Sequence, residues 1–240
     1  MDLTSIKKNW EGFAKTDPFW AILTVKKYSG NKWEPKAFFA TGENDVNSWF
    51  SEFTELKKCN TEKALDFGCG VGRLTQALCL RFARVDGVDI SETMIELARK
   101  HNNYLERCKY FVNDQPNLSI FPNKSYDLVC SHITLQHIPK DHIFSYIDEF
   151  IRITKPHGCI LFSLPSKPPF WYRTAAMLIP SFIKNSLRRI IFNTNYVMEV
   201  NWVNRKKIED HLKKRNLQVT TYKDYSTGRN WEGYFYLCIK

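Results

Sequence analysis

No stretch of this chain reaches the run of about 18 apolar residues that a membrane-spanning helix needs. Cys-x-x-Cys pairs are missing too. The seven cysteines, at 59, 69, 79, 108, 130, 159 and 238, leave an odd count, and no secretory leader pattern is visible at the start. That combination argues against a disulfide framework and for reduced thiols in a cytoplasmic protein. The six histidines supply no metal set: His132, His137 and His142 are five apart, a spacing that leaves one helical face and is broken by Pro139. Internal repeats and low-complexity tracts are absent. Acidic residues are in short supply, 25 against 35 Lys and Arg, so the chain carries a net charge of +10. At 240 residues it is long enough for one α/β domain with a sizeable core and an added cap.

Glycine is also scarce, ten in all, yet three alternate within five residues. The stretch 64–72 reads Ala-Leu-Asp-Phe-Gly-Cys-Gly-Val-Gly, a short apolar strand running into a turn that carries its own carboxylate, Asp66. Gly68, Gly70 and Gly72 let the backbone approach a ligand closely and take up positive φ. A helix follows at once, Arg73 to Leu78. The next apolar run, Arg84 to Asp89, ends in a second acid 19 residues past Gly70, the spacing of an acid that binds a ribose hydroxyl. Together these predict a nucleotide-type cofactor in an α/β domain.

The dinucleotide fingerprint wants a small residue at the sixth position counted from Gly68, where this chain has Arg73. The pattern is instead Asp-x-Gly-x-Gly-x-Gly. A carboxylate at the turn repels a pyrophosphate and welcomes a cationic group. S-adenosylmethionine, with an ammonium and a sulfonium and no phosphate, suits it. From Lys63 to Leu164 the chain resembles the class I S-adenosylmethionine-dependent methyltransferases, most closely the bacterial small-molecule and glycan type with an N-terminal helical lid.

Further motifs follow in order. Ser91 is placed to cap a helix holding Met94, although Met94 itself replaces the Glu or Gln of a capping box. A strand from Lys109 leads to Asn113 and Asp114. A fourth strand, Tyr126 to His132, precedes Leu135-Gln136-His137-Ile138-Pro139, a phrase close to one found in many methyltransferases of this class. The resemblance implies a seven-stranded, mostly parallel Rossmann-like sheet with an antiparallel last strand. It also implies cofactor contacts from Asp66, Gly68, Cys69, Gly70, Gly72, Asp89, Ile90, Met94, Asn113, Asp114, Ser131 and His132. Cys69 reads as a small filler of the turn rather than a reactive thiol.

The chain divides into an N-terminal helical cap (1–58), a cofactor-binding core (59–164), a substrate-side insertion (165–204) and a last helix with closing strands (205–240). Trp10, Phe13, Phe19 and Trp20 suit helices folded onto something, and Asp17-Pro18 marks a helix start. As lid or as plain packing, this region places Thr41 and Gly42 as candidates to touch the cofactor from above. Pro165-Ser166-Lys167-Pro168-Pro169 is expected to break regular structure. Lys206 to Leu212 reads as a helix, and 217–222 and 234–239 as the closing strands.

Residues 165–215 hold eleven Lys or Arg against three acids. A basic face beside the pocket favours an anionic partner. Four readings remain: an anionic small molecule or glycan, RNA, an anionic membrane surface touched through 175–192, and a merely solvated face. RNA stands second, because aromatics interleave the basic residues but no RNA-binding module is present. A cofactor-binding module without catalysis is the remaining alternative. No Asn-Pro-Pro-Tyr sequence follows the fourth strand, which points away from amide nitrogen and toward oxygen on a small molecule or glycan. His137, in the loop facing the methyl donor in the family, is the candidate general base, with a structural role as its rival.

Overall fold

The computed structural model describes residues 2–170, 183, 186, 195–224 and 231–240. The expected amphipathic stretch 175–192, with Lys184, Arg188 and Arg189, lies outside the described residues except for Ile183 and Ser186, as does Arg173.

Seven strands form one sheet in the order β3-β2-β1-β4-β5-β7-β6. They are β1 (Lys63–Phe67), β2 (Arg84–Asp89), β3 (Cys108–Val112), β4 (Tyr126–Ser131), β5 (Thr154–Lys167), β6 (Gln218–Asp224) and β7 (Glu232–Ile239). All pairings among β1 to β5 are parallel, while β7 runs antiparallel to both β5 and β6. This is the expected methyltransferase sheet, with the last strand reversed.

Alternate residues of the central strands feed opposite faces, as the two-residue period of a strand requires. Ala64, Leu128, Cys159 and Leu161 pack on one face, under α3 (Pro35–Glu52), α4 (Arg73–Leu78) and α5 (Glu92–Lys100). Leu65, Val129, Ile160 and Phe162 pack on the other, against Ile143, Ile147 and Phe150 of α6 (Lys140–Ile153) and Ile208 and Leu212 of α7, spanning Arg205–Lys213. Both faces of the parallel part are therefore dry, as parallel sheets demand. A third cluster joins α1 (Leu3–Thr16) and α2 (Pro18–Ile22) to the core: Phe13, Trp20, Trp33 and Phe38 close over Val71 of the turn and Met94 of α5.

Local signals match the caps. The Asp17 carboxylate accepts from the Trp20 N–H with Pro18 in the first turn of α2, and Ser91 Oγ accepts from the Met94 N–H at 3.2 Å. One expectation fails. β5 does not stop before Pro165 but runs to Lys167, pairing with β7 through Pro165↔Gly233, with an irregularity between Pro165 and Lys167. β4 pairs no further than Ser131↔Phe162, so Pro165 lies where β5 has a single strand neighbour and its missing N–H breaks no ladder.

Candidate functional site

β1 and β2 deliver Asp66 and Asp89 to the carboxyl edge of the sheet, where open α/β folds bind ligands. The turn between β1 and α4 is fastened to β2: the Gly68 and Cys69 N–H groups both donate to the Val88 carbonyl, at 2.8 and 3.1 Å. Its three glycines have φ of +75°, +53° and +84°, a left-handed run that a β-carbon strains. Space forbids one as well. A Cβ on Gly68 would fall 2.0 Å from the Thr134 side chain, and one on Gly70 would fall 2.5 Å from Ile22 of α2.

Beside this turn lies a cavity enclosing about 970 Å³, mouth included. Its polar lining includes Asp66, Asp89, Arg73, Asn113, His132 and His137. Cys69, Ile90 and Met94 line it as well, as do Gly68 and Gly70. Asp89 is held by backbone: Gly70 N–H and Ser91 N–H donate to its two oxygens, each at 2.9 Å. Asp66 accepts from Thr75 Oγ1 at 2.7 Å, and burial pushes its carboxyl up to about 6, against the pull of the Arg73 charge. Burial raises Asp89 as well. Two carboxylates on a dry wall want a cationic or hydroxyl-bearing guest.

Two imidazoles face the same space and are kept neutral by burial, His132 near 3 and His137 near 4. His132 Nδ1 lies 2.9 Å from Ser163 Oγ, and its ring stacks on Phe235. His137 Nδ1 lies 2.6 Å from the Glu199 carbonyl, a pure acceptor, so Nδ1 carries the hydrogen and Nε2 keeps a lone pair. The Gln136 amide nitrogen sits 3.2 Å from that lone pair. Between the two histidines, Ile133 lines the cavity at φ +61°, an uncommon conformation for a β-branched residue, pinned by its N–H donating to Ser163 Oγ at 3.1 Å. Strain of this kind concentrates at ligand sites.

The opposite wall is apolar: Leu3, Ile6 and Trp10 of α1 and Ala21 and Ile22 of α2 line it. The segment after residue 195 braces it. Val197 N–H donates to Asn9 Oδ1, Asn201 N–H donates to the Gln136 carbonyl, and a Cβ on Gly12 would collide with the Tyr196 ring.

Five expected contact residues do not line the cavity. Thr41 and Gly42 lie within α3, where Thr41 Oγ1 accepts from Arg73 Nη1 at 3.3 Å and a Cβ on Gly42 would fall 2.4 Å from the Arg73 carbonyl oxygen. They pack α3 onto α4 rather than reach over the turn. Gly72 is the left-handed cap of α4, pressed by the Tyr110 hydroxyl. Asp114, two residues past the end of β3, is half exposed and pairs with Lys7 of α1 at 2.8 Å, which holds its carboxyl below the usual range. Ser131 is buried in β4 with its Oγ unpartnered. Sequence reasoning in turn missed Arg73, Ile133, Phe67 and Tyr146 as lining residues, and Glu199 as the partner of His137. Aromatic spacing in 8–23 had signalled Trp10 as a packing residue, without saying against what.

The donor set fits a nucleoside with a cationic end: acids at the ends of β1 and β2, a left-handed glycine turn, and apolar Met94 and Ile90 beside them. A family model described as a methyltransferase domain matches residues 64–158. The chain is 40% identical over 101 residues to a malonyl-[acyl-carrier protein] O-methyltransferase of Priestia megaterium, covering 41% of this chain and 35% of that protein. It is 32% identical over 153 residues to a ubiquinone biosynthesis O-methyltransferase of Pseudomonas savastanoi pv. phaseolicola, covering 61% and 62%. The chain thus spans between about a third and three-fifths of these curated relatives. Among solved structures, the magnesium protoporphyrin IX methyltransferase from Synechocystis PCC 6803 with bound SAH superposes over the full length of both chains, with a TM-score of 0.69 at 17% identity. Residues 64–158 of this chain thus match a methyltransferase domain, and the chain takes the Rossmann-like fold seen in S-adenosylmethionine-dependent methyltransferases.

Proposed function

We propose that the chain is an S-adenosylmethionine-dependent methyltransferase that methylates an oxygen of a small molecule or glycan by in-line transfer. The observation that carries this reading is the pair Asp66 and Asp89, fixed on either side of a left-handed glycine turn in one cavity. When bound there, the cofactor supplies an electrophilic methyl group on a sulfonium. Asp89 would accept from the ribose hydroxyls, Ile90, Met94 and Asn113 would hold the base, and Asp66 would take the cationic end. Gly68, Cys69 and Gly70 keep the floor flat, and His132, neutral and immobile against Ser163, shapes the wall beside them. Gly72, Asp114, Ser131, Thr41 and Gly42 act on this site through the turn and the helices they position.

His137 orients the acceptor. Its Nε2 lone pair would accept a hydroxyl hydrogen of the acceptor once the Gln136 amide turns aside, and burial keeps the ring neutral for that role. Positioning accounts for the larger share of the rate, since well-oriented reactants remove roughly 7–11 kcal/mol of a barrier. Helices α1 and α2 serve as the lid, keeping water off the methyl group with an apolar surface. Two named relatives are O-methyltransferases, which supports oxygen as the acceptor atom. All seven cysteines are free and buried, and no helix of the described residues is long and apolar enough to cross a membrane, which supports a cytoplasmic setting.

Labelled methyl offered with a cell extract tests the reading. Label in an alkali-labile or ether-linked small molecule or glycan supports it. Label only in RNA, or none with the folded protein, contradicts it.

A further inference from the structure

None of the described Lys or Arg residues between 165 and 215 lines the cavity. Two of them, Lys167 and Lys207, instead meet Lys140 in a second hollow of about 1160 Å³, mouth included. It lies at the carboxyl edge of the sheet: Lys167 ends β5, Lys140 opens α6, and Lys207 belongs to the first turn of α7. The Lys140 ammonium rests 4.2 Å from the centre of the Trp202 ring, a cation–π contact that gives it a fixed place in the lining. The backbone around it is fastened. Val203 N–H donates to the Pro165 carbonyl at 3.0 Å, and Arg205 N–H donates to Ser166 Oγ at 2.9 Å. Ser166 also lines the hollow and is buried, and its own hydroxyl hydrogen has no acceptor among the described residues.

Among the described residues none of these three lysines makes an ion pair, although their neighbour Arg205 is taken by Glu209. Asp141 is the one acid of the lining, so three ammonium groups stand against one carboxylate, a net charge of +2. Like charges gathered in one hollow repel each other, and an anion set among them relieves that repulsion. A phosphate monoester carries about −1.5 to −2 at pH 7 and offers three acceptor oxygens, which matches both the charge and the donors. Lysine suits phosphate as a point charge, whereas a planar carboxylate is better served by the arginine fork. A nucleic-acid backbone calls for a track of charges rather than one hollow.

The hollow adjoins the acceptor side of the cavity. His137 and Ile138 line the cavity and Lys140 lines the hollow, so two residues of chain, at most about 7 Å, lie between them. Asn201 clamps the same turn, with its N–H on the Gln136 carbonyl at 2.6 Å and Nδ2 on the Ile138 carbonyl at 2.9 Å, and the next residue is Trp202. We propose that this hollow binds a phosphate group carried by the methyl acceptor, through Lys140, Lys167, Lys207 and the Ser166 hydroxyl. The inference rests on the methyltransferase reading of the cavity and deepens it. The acceptor is a phosphorylated small molecule or glycan, with its methylated oxygen near His137 and its phosphate beyond the 135–138 turn.

Isothermal titration of the full chain with inorganic phosphate and with pyrophosphate, at low ionic strength, tests the hollow. The unaltered protein is expected to bind both, and the variant Lys140→Gln/Lys167→Gln/Lys207→Gln to bind them about tenfold more weakly or worse. Lys57→Gln/Lys58→Gln/Lys100→Gln removes the same charge before β1 and at the end of α5, and is expected to stay within about twofold. All three proteins are expected to bind S-adenosylhomocysteine alike. Lys207→Gln alone is expected to lose part of the phosphate affinity, and it serves if the triple variant does not fold. In the cell-extract assay, methyl uptake is expected to fall about tenfold or more once the extract has been treated with a phosphatase. Absence of phosphate binding, or an equal loss in the hollow and control variants, overturns the proposal. So does labelling that phosphatase treatment leaves undiminished. In each case, retained S-adenosylhomocysteine binding leaves the methyltransferase reading standing. A folded, unaltered protein that does not bind S-adenosylhomocysteine overturns both.

Discussion

On the sheet side of the cavity the recognition groups are fixed by backbone. Asp89 is gripped by the Gly70 and Ser91 N–H groups, the turn hangs from the Val88 carbonyl, and Ile133 is pinned to Ser163. On the cap side the lining is apolar, and α1 is fastened by side chains: Lys7 to Asp114 at 2.8 Å, and Glu11 to Thr93 Oγ1 at 2.6 Å. Partly exposed pairs such as Lys7–Asp114 contribute at most about 1 kcal/mol each. The wall that must read a charged nucleoside is thus preorganised by backbone hydrogen bonds, whereas the wall that must admit an acceptor is apolar and is held by side-chain packing and side-chain pairs. Changes on the first wall should abolish binding, and changes on the second should tune it.

The largest effect belongs to Asp89. Asp89→Ala removes charge-assisted hydrogen bonds worth about 1.5–3 kcal/mol apiece and frees two backbone donors. A loss of roughly 100-fold or more in S-adenosylhomocysteine affinity is expected by titration calorimetry. His137→Ala separates chemistry from binding. Turnover should fall by about 10²–10⁴, the contribution of a positioned acid–base group, with cofactor affinity unchanged. Full activity in that variant would return His137 to a structural role, tying the 135–138 turn to Glu199.

A pH titration probes the sheet-side wall without altering it. Asp66 is held near 6 by burial, and a cationic guest needs it ionised. Affinity for S-adenosylhomocysteine should be level above pH 7 and fall about tenfold per unit below the raised value, and Asp66→Asn should remove that dependence. Smallest of all, Trp10→Ala on the cap should raise the acceptor KM several-fold while moving cofactor affinity by less than threefold. A Trp10 variant that lost the cofactor as badly as Asp89→Ala would dissolve the contrast between the walls.

The contrast also sorts what was legible in the sequence. Asp66, the three glycines and Asp89 could be read because their chemistry is local: a strand end, a left-handed turn and a fixed spacing. The caps at Asp17 and Ser91 were legible for the same reason. Amphipathic spacing in 8–23 said that Trp10 faces something but could not name it, since the partner, His137, is more than a hundred residues away. Asp114 was misplaced because β3 ends at Val112, and Lys7 from a distant helix captures the carboxylate. β5 outlasted Pro165 through pairing with β7, a contact no local rule supplies. Ile133 defied its own propensity, as a β-branched residue held left-handed by Ser163. Arg73 was noticed only as a misfit to a dinucleotide motif, because its partner, the Asp45 carboxylate of α3, is 28 residues away in the chain.

Thermal unfolding with and without nucleotide tests the central claim most directly. S-adenosylhomocysteine at about 100 times its dissociation constant should add about 2.7 kcal/mol of stability. At this chain length each kcal/mol moves the midpoint by about 2–4 °C, so a rise of roughly 5–10 °C is expected, with none from NAD. A midpoint that rises with NAD and ignores S-adenosylhomocysteine would contradict the account.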